Sequence, residues 1–475
     1  MAKQRLDLTD ERQPILKVIM WLAWPLFVEQ ILSTLVSFVD TAMVGSLGAA
    51  ATASVSISNS FVFLINGVVI ALGIGVTAYV ARSVGAKDYD AAKAYVRHSL
   101  LLLLLIGLPV ALVPVVLYKQ IPIWMGADAE YLQQAQEYLL ITSVFRIFTM
   151  TMMVLGSVYR GRGDTKTPLR VNIVVNIVNV VGNYLLIHGN HTIHLNIDFL
   201  GIDWAIPMIG AGMGVQGAAL STGLSWVLGG VTLMVLLFTK EDPTRISVRD
   251  SFKPDFTLLG RVIKLSVPAM LERLCMSGAG IVVTKTIATL GTSAVAANAV
   301  YSTAESLSYM PAFAFANACT TLVGQALGAK KPALAKKYAW NTVYVGITVM
   351  TLAGLGLYFF ANPLVRIINS DPDVVALAET CLKIVAFVQP IQLVTWVLAG
   401  ALRGAGDTKW PFYITAIGNW LVRALFAALC VGVFNMGLPA AVVCMCLDQV
   451  LRATLMTLRF CSGKWMHVIK EKKTA

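Results

Sequence analysis

Long apolar runs separated by short polar turns fill almost the whole chain. Twelve such runs are predicted, at 14–45, 53–81, 96–118, 136–158, 169–188, 213–238, 265–289, 296–326, 338–360, 377–401, 412–433 and 438–460. Crossing a bilayer as a helix takes ~20 apolar residues, and each run supplies about that many or more. Only helices and closed barrels satisfy their own backbone hydrogen bonds in lipid. These runs lack the ~10-residue alternation of barrel strands. The pattern therefore predicts an all-α integral membrane protein of twelve transmembrane helices.

Composition sharpens this picture. Of 475 residues, 57% are hydrophobic and only 13% charged, against about 25% charged in a soluble domain. The net charge of +12 does not form one basic face, so nucleic acid is not an expected partner. Lys and Arg instead cluster in alternate turns, from Arg82 to Arg97, Arg160 to Arg170, Lys240 to Lys264, Lys330 to Lys337, Arg403 to Lys409 and Lys464 to Lys473. The intervening turns hold few cations beyond Lys119 and Arg366. Basic residues mark cytoplasmic loops, so both termini are expected in the cytoplasm. Met1 to Gln13 is polar and lacks the apolar core of a signal peptide. The seven cysteines lie in the second half without a CxxC pair and read as small apolar residues, not as a metal or disulfide framework.

The chain repeats itself at an offset of 243: Pro25 and Glu29 return as Pro268 and Glu272, and Gly85-Ala86-Lys87 as Gly328-Ala329-Lys330. The turn Arg160-Gly161-x-Gly163-Asp164-Thr165-Lys166 returns as Arg403-Gly404-x-Gly406-Asp407-Thr408-Lys409. Past Asn176 and Asn419 the register slips, and Gly214 pairs with Gly437, so the first half carries an insertion in the outward loop 189–212. Six spans per half make this a parallel repeat, the design of transporters whose halves rock around a central substrate. The expected domains are a first six-helix lobe, 1–238, a charged linker, 239–264, and a second six-helix lobe, 265–475.

No G-x-x-x-x-G-K-[ST] loop, nucleophile elbow or HExxH motif occurs, so no cofactor, nucleotide site or enzymatic activity is expected. Intramembrane charge is the remaining signal, because it is costly in lipid. Asp40 lies within span 1, and its counterpart is Val283, so the repeat does not demand an acid there. Asn172, Asn176, Asn179 and Asn183 are spaced 4, 3 and 4 and form one stripe of span 5. Asn176 recurs as Asn419 and reads as structural, while Asn179 and Asn183 face Val422 and Phe426 in the repeat. A carboxylate beside amides suits a proton or a sodium ion. Glu29 and Glu272 each follow a proline and are expected to line the cleft between the lobes, where they would attract cations. Glu305 has no nearby partner. Asp448 with Arg452 and Glu379 with Lys383 have ion-pair spacing, while Arg146, Arg273, Lys285 and Arg423 have no assigned role. Arg160, Asp164, Arg403 and Asp407 occupy the repeated turns and are expected to lock an inner gate. His188, His191 and His194 read as a loop turn, not a metal site.

Several stretches resemble the multidrug and toxic compound extrusion (MATE) transporters: Trp24-Pro25, Val39-Asp40-Thr41-Ala42-Met43-Val44-Gly45, the Tyr159-to-Thr165 turn, Gly214-Val215-x-Gly217-Ala218-Ala219 and Ala401-Leu402-Arg403-Gly404. The resemblance implies two lobes in a V with a central cleft, exporting organic cations in exchange for protons or sodium by alternating access. It implies that Asp40 and Asn179 belong to a coupling site. Asn183 stands where some members have a second aspartate, and Thr222 where some add a threonine to a sodium site. Members with a second-lobe sodium site use acids at positions that are Met276 and Gln392 here, which shifts weight to Asp40. Glu29, Glu272, Glu305, Asn176 and Gln392 are the expected cleft positions. The expected partners are organic cations and membrane lipid, with the protein a monomer in the cell membrane. The alternative is a flippase for lipid-linked precursors, which needs a cavity rich in Arg and Lys, whereas acids outnumber them at the expected cavity positions.

Overall fold

The chain is described here from a computed structural model covering residues 7–197, 202–247 and 249–469. The first span is α1 (Ile15–Gly45), the second α2 (Ala49–Gly85). The third is α3 (Tyr89–Leu102) and α4 (Leu108–Val116), joined without a break by a π turn at Leu103–Gly107. The short α5 (Gln120–Trp124) leads to the fourth, where α6 (Leu132–Val144) and α7 (Arg146–Gly161) meet at a 49° bend. Then come α8 (Lys166–Ile187) and α9 (Gly214–Thr239).

The second half repeats this order. α10 (Phe256–Ala288) is followed by α11 (Thr292–Ser306) and α12 (Tyr309–Gly328), which break one span at Leu307 and Ser308. α13 (Pro332–Phe359) and the short α14 (Ala361–Ile368) lead to α15 (Pro372–Ala386) and α16 (Gln389–Gly404), bent by 54°. α17 (Lys409–Ala416) and α18 (Phe426–Gly432) flank a nine-residue π segment, Ile417–Leu425, and α19 (Leu438–Cys461) closes the bundle. All twelve predicted spans are helical. Three of them are broken or bent, as happens where a proline or a lost backbone bond interrupts the ladder; Pro311 and Pro390 stand at two of these breaks.

The extra residues between α8 and α9 are not a bare loop. Gly189–Ile197 and Ile202–Ala211 form an antiparallel hairpin, β1 and β2, with His194 opposite Ala205 and Ile197 opposite Ile202. The run Ile193-His194-Leu195-Asn196-Ile197 alternates apolar and polar, the period of a strand. Residues 198–201 of the predicted loop lie outside the described residues.

Lipid is as apolar as leucine, so packing and polar contacts hold such helices together. α12 shows how: from Ala314 to Phe315 to Gly328 it is buried at nearly every position, and it is built largely of small residues. Its last turn crosses the last turn of α2. A side chain at Gly85 would collide with the backbone of Gln325, and one at Gly328 with the backbone of Arg82. The turns that follow are equivalent down to the backbone, with Lys87 and Lys330 both at φ 59°.

The two halves interlock at this end. Val18, Ile19, Leu22 and Leu26 of α1 belong to a core built mainly from the second half. Leu259 and Val262 of α10 belong to a core built from the first. Thr321 Oγ1 donates to the Arg160 carbonyl at 3.1 Å, and Gln325 Nε2 to the Gly161 carbonyl at 2.9 Å. Both chain ends strap the same face: Lys331 Nζ donates to Thr9 O and Tyr338 Oη to Leu8 O, each at 2.9 Å, and Arg82 donates to Ile469 O at 3.2 Å.

Candidate functional site

α1 and α8 run side by side in the same direction, which the constant separation of their polar contacts shows. Glu29 accepts from Asn172 Nδ2 at 2.7 Å, and Asp40 accepts from Asn183 Nδ2 at 2.5 Å, both 143 residues apart. The asparagine stripe therefore serves two carboxylates on one helix. Those carboxylates are eleven residues apart, ~16 Å along the axis.

Around Asp40 the stripe closes into a small polar site. With its amide turned toward the carboxylate, Asn179 Nδ2 donates to Asp40 Oδ1 at 2.8 Å and Oδ2 at 3.3 Å, while its Oδ1 accepts from Thr222 Oγ1 at 3.2 Å. Thr222 reaches this position because α9 packs closely on α8. Gly182 makes room for it, since a Cβ there would stand 2.5 Å from Ser221 Oγ. Ser221 Oγ in turn donates to the Asn179 carbonyl at 2.9 Å. Tyr138, on α6, stands within electrostatic reach of Asp40. Among the described residues no Lys or Arg pairs with Asp40. Asn179 and Asn183 are buried, and Asn183 Oδ1 has no partner. Asp40, Asn179, Asn183 and Thr222 are thus brought together. Asn176 lies between the two rungs, bonded to neither carboxylate.

The second half repeats the Glu29 rung and not the Asp40 site. Glu272 accepts from Arg403 Nη2 at 2.6 Å and from Thr415 Oγ1 at 3.2 Å, again 143 residues away. Arg160, the counterpart of Arg403, donates to Ser157 Oγ at 2.9 Å and lies within reach of Glu29. The counterparts of Asp40, Asn179 and Asn183 are Val283, Val422 and Phe426, and that of Thr222 is Met445. Val283 and Met445 belong to an apolar core.

Glu305 has more company than its sequence neighbours suggest. Gln389 Nε2 approaches it at 3.4 Å, Ser308 Oγ donates to Gln389 Oε1 at 2.8 Å, and Tyr309 lies beside both Glu305 and Gln392. Arg423, on the π segment, lies within electrostatic reach. Asp448 and Arg452 pair at 2.8 Å in the interior, and Glu379 and Lys383 at 2.6 Å. Arg146 stacks over Trp226 at 4.9 Å, and Lys285 is exposed.

The repeated turns bind within their own halves. Asp164 pairs with Lys240 at 2.5 Å, at the end of α9, and Asp407 with Arg459 at 2.6 Å, at the end of α19. Burial pushes the Asp164 carboxyl up, but the bonds from Lys240 and Thr167 outweigh it and hold it below the ordinary carboxylate range. Between halves, the backbone of the first turn is held by Thr321 and Gln325, which carry no formal charge and drew no attention in the sequence, beside the straps that Lys331, Tyr338 and Arg82 make to the chain ends.

A cavity of about 140 Å³ lies between the halves, beside Glu29. Arg160, Arg273 and Arg403 all line it. Glu272 stands behind Arg403 and is spent on it. The expected excess of acid is therefore reversed: three guanidiniums face two carboxylates. A larger cavity, of about 1050 Å³, opens at the end carrying the termini. It is strongly basic, with Arg82, Lys87, Arg261, Lys264, Lys331 and Lys409 among its lining.

Known proteins of similar sequence and shape place this architecture. A "Probable multidrug resistance protein NorM" of Thermotoga maritima is 29% identical over 460 residues, covering 96% of this chain and 94% of that protein. An "Uncharacterized transporter YisQ" of Bacillus subtilis is 23% identical, covering 94% of each. A solved MATE structure in the bent conformation superposes with a TM-score of 0.85 at 21% identity, covering 95% of this chain and 97% of that one. An outward-facing multidrug resistance MATE transporter does so equally well, covering 97% and 99%. The MatE family profile matches twice, over residues 25–185 and again over 268–429, one match per half. The chain is a multi-pass membrane protein and belongs to the MatE family, the multidrug and toxic compound extrusion transporters.

Proposed function

We propose that this protein is a secondary antiporter of the plasma membrane that exports amphipathic small molecules in exchange for a proton taken up at Asp40. The observation that carries this reading is the Asp40 site itself. An intramembrane carboxylate without a cationic partner is costly, and this one is held by two amide donors. The equivalent positions of the second half are apolar, so the repeat architecture stands without such a site.

The amides turn N–H groups toward the carboxylate, an arrangement that stabilises its charge until an ion arrives. Proton uptake requires only that one oxygen give up a donor. Sodium would need amide oxygens turned inward, together with Thr222 Oγ1, so the same four residues also offer a sodium site after rearrangement. Either ion removes the net charge at α1 and α8 and biases the packing of these two helices, and a ligand shifts a two-state equilibrium only through such a difference.

The basic rim supports an orientation with both termini in the cytoplasm. In that orientation the conformation is closed to the inside. The domain division proposed here keeps six helices per lobe with 239–264 as the connecting linker. Lys240 and Thr244, in that linker, bind Asp164 and Arg162 of the first half.

The test is efflux of a fluorescent amphiphile from proteoliposomes under an imposed proton gradient or an imposed sodium gradient. Transport under the proton gradient, lost in Asp40→Asn, is the expected result. Transport under sodium alone would reassign the four residues to a sodium site. Movement without either gradient would favour the lipid-flippase alternative.

A further inference from the structure

The cavity between the halves lies on the axis of the repeat, and its lining is made of equivalent pairs whose members differ. Gln30 of the first half faces Arg273 of the second, Ile70 faces Phe313, and Met153 faces Trp396. At these three positions the first half is aliphatic or amide and the second is aromatic or cationic, while Glu29 and Arg160 of the first half and Arg403 of the second complete the lining. The repeat supports a Gln at this position in one half, so the fold does not require the guanidinium of Arg273.

Arg273 is also unspent. Glu272, its neighbour in sequence, is bonded to Arg403 and Thr415. Among the described residues Arg273 itself makes no hydrogen bond or ion pair, and its nearest charges are Arg403 and Glu272. An arginine carries five donors in a flat fork that matches a carboxylate or phosphate. Glu272 is spent on Arg403 and Glu29 lies by Arg160, so the third guanidinium, Arg273, is held in a confined space at a cost that an incoming anion removes. Beside it Phe313 and Trp396 meet edge to face at 6.0 Å, and Tyr309 stacks on Trp396 at 6.3 Å. Such a wall receives a flat ring.

We infer that the inter-lobe cavity takes aromatic amphiphiles carrying an anionic group, the ring on Phe313 and Trp396 and the anion on Arg273. This inference rests on the transporter reading above and narrows its substrate class. Arg160 and Arg403 raise the local potential but are engaged by Ser157 and Glu272, which leaves Arg273 as the group that selects. Export of simple organic cations through this cavity runs against its charge.

The test is equilibrium binding to the full-length protein in nanodiscs of zwitterionic lipid, with empty nanodiscs subtracted. The probes are 2-naphthoate and 2-naphthylmethylammonium, which share a ring and differ in the sign of charge. The wild type is expected to bind the carboxylate about tenfold more tightly or better. Arg273→Gln, which installs the residue of the first half, is expected to bring the two affinities together. Arg273→Lys, which keeps the charge, is expected to retain most of the preference. A wild type that prefers the ammonium, or binds neither probe at about 1 mM, overturns the inference. So does an Arg273→Gln protein of unchanged melting temperature and unchanged preference.

Because no gradient enters this measurement, its failure is separable from that of the antiport reading. Binding of naphthoate without gradient-driven transport keeps the substrate class and removes the antiport. Gradient-driven export of the ammonium, with no naphthoate binding, does the reverse.

Discussion

The two halves of this transporter share a plan and differ where it matters for chemistry. Each places a glutamate one turn after a proline in its first helix. Each brings an arginine from the repeated turn toward that glutamate, and each offers a polar residue 143 positions further on. Only the first half adds Asp40, Asn179, Asn183 and Thr222; the second fills those positions with Val283, Val422, Phe426 and Met445. A feature present in both halves is explained by the common scaffold. A feature present in one, at a cost in lipid, calls for a role. The second half has an acid of its own in Glu305, which has Arg423 within electrostatic reach. Among the described residues Asp40 has no such cation.

The two glutamates are expected to show the largest difference between the halves. Glu272 and Arg403 form a close pair with side chains only 6% and 19% exposed. Removing one partner of a buried pair costs about 3 kcal/mol or more, so Glu272→Gln is expected to lower the melting temperature strongly. Glu29→Gln is expected to cost about 1 kcal/mol, because Arg160 keeps Ser157 as a partner. Equal losses in the two variants would show that the rungs are equivalent after all.

A smaller effect separates the amides. Asn183→Ala or Asn179→Ala removes one donor to Asp40, worth about 1 kcal/mol. That should shift the ion dependence of transport by about fivefold while leaving the protein folded. Asn419→Ala, in the second half, should leave the ion dependence unchanged. Titration of transport rate against the driving ion, at fixed substrate, reads both.

The repeated turns give the smallest effect. Asp164 sits below its ordinary pKa, so its contribution is present at neutral pH, above the unfolded value. It is lost as pH falls through the depressed folded value. Lys240 is 39% exposed, so solvent screening keeps the pair near 1 kcal/mol. Asp164→Asn should lower the melting temperature slightly at pH 7 and not at all under strongly acidic conditions. A loss that persists in acid would assign the stability to something other than this ion pair.

Much of this was legible in the chain. Apolar runs of this length and continuity predict twelve helices because the alternative in lipid, a closed barrel, needs short alternating strands, and the 243-residue repeat predicts two lobes. The 4-3-4 spacing of the asparagines placed them on one stripe. What sequence does not show is how the stripe divides, with Asn172 on Glu29 and Asn179 and Asn183 on Asp40, because that depends on the parallel alignment of α1 and α8. Nor does it show the charge of the cavity. Arg160, Arg273 and Arg403 are distant in sequence and meet only across the repeat axis, whereas the adjacent Glu272 is consumed by Arg403. The hairpin at 189–211 did leave a trace, the alternation from Ile193 to Ile197, which the expectation of an outward loop passed over.

On the reading proposed above, ion coupling resides in the first half alone. Gradient-driven efflux from proteoliposomes tests it most directly when Asp40→Asn is set beside Glu305→Gln, with both proteins shown to be folded. Asp40→Asn is expected to lose the response to the gradient and Glu305→Gln to keep it. Coupled transport that survives Asp40→Asn and disappears in Glu305→Gln would contradict it and move the ion site to the second half.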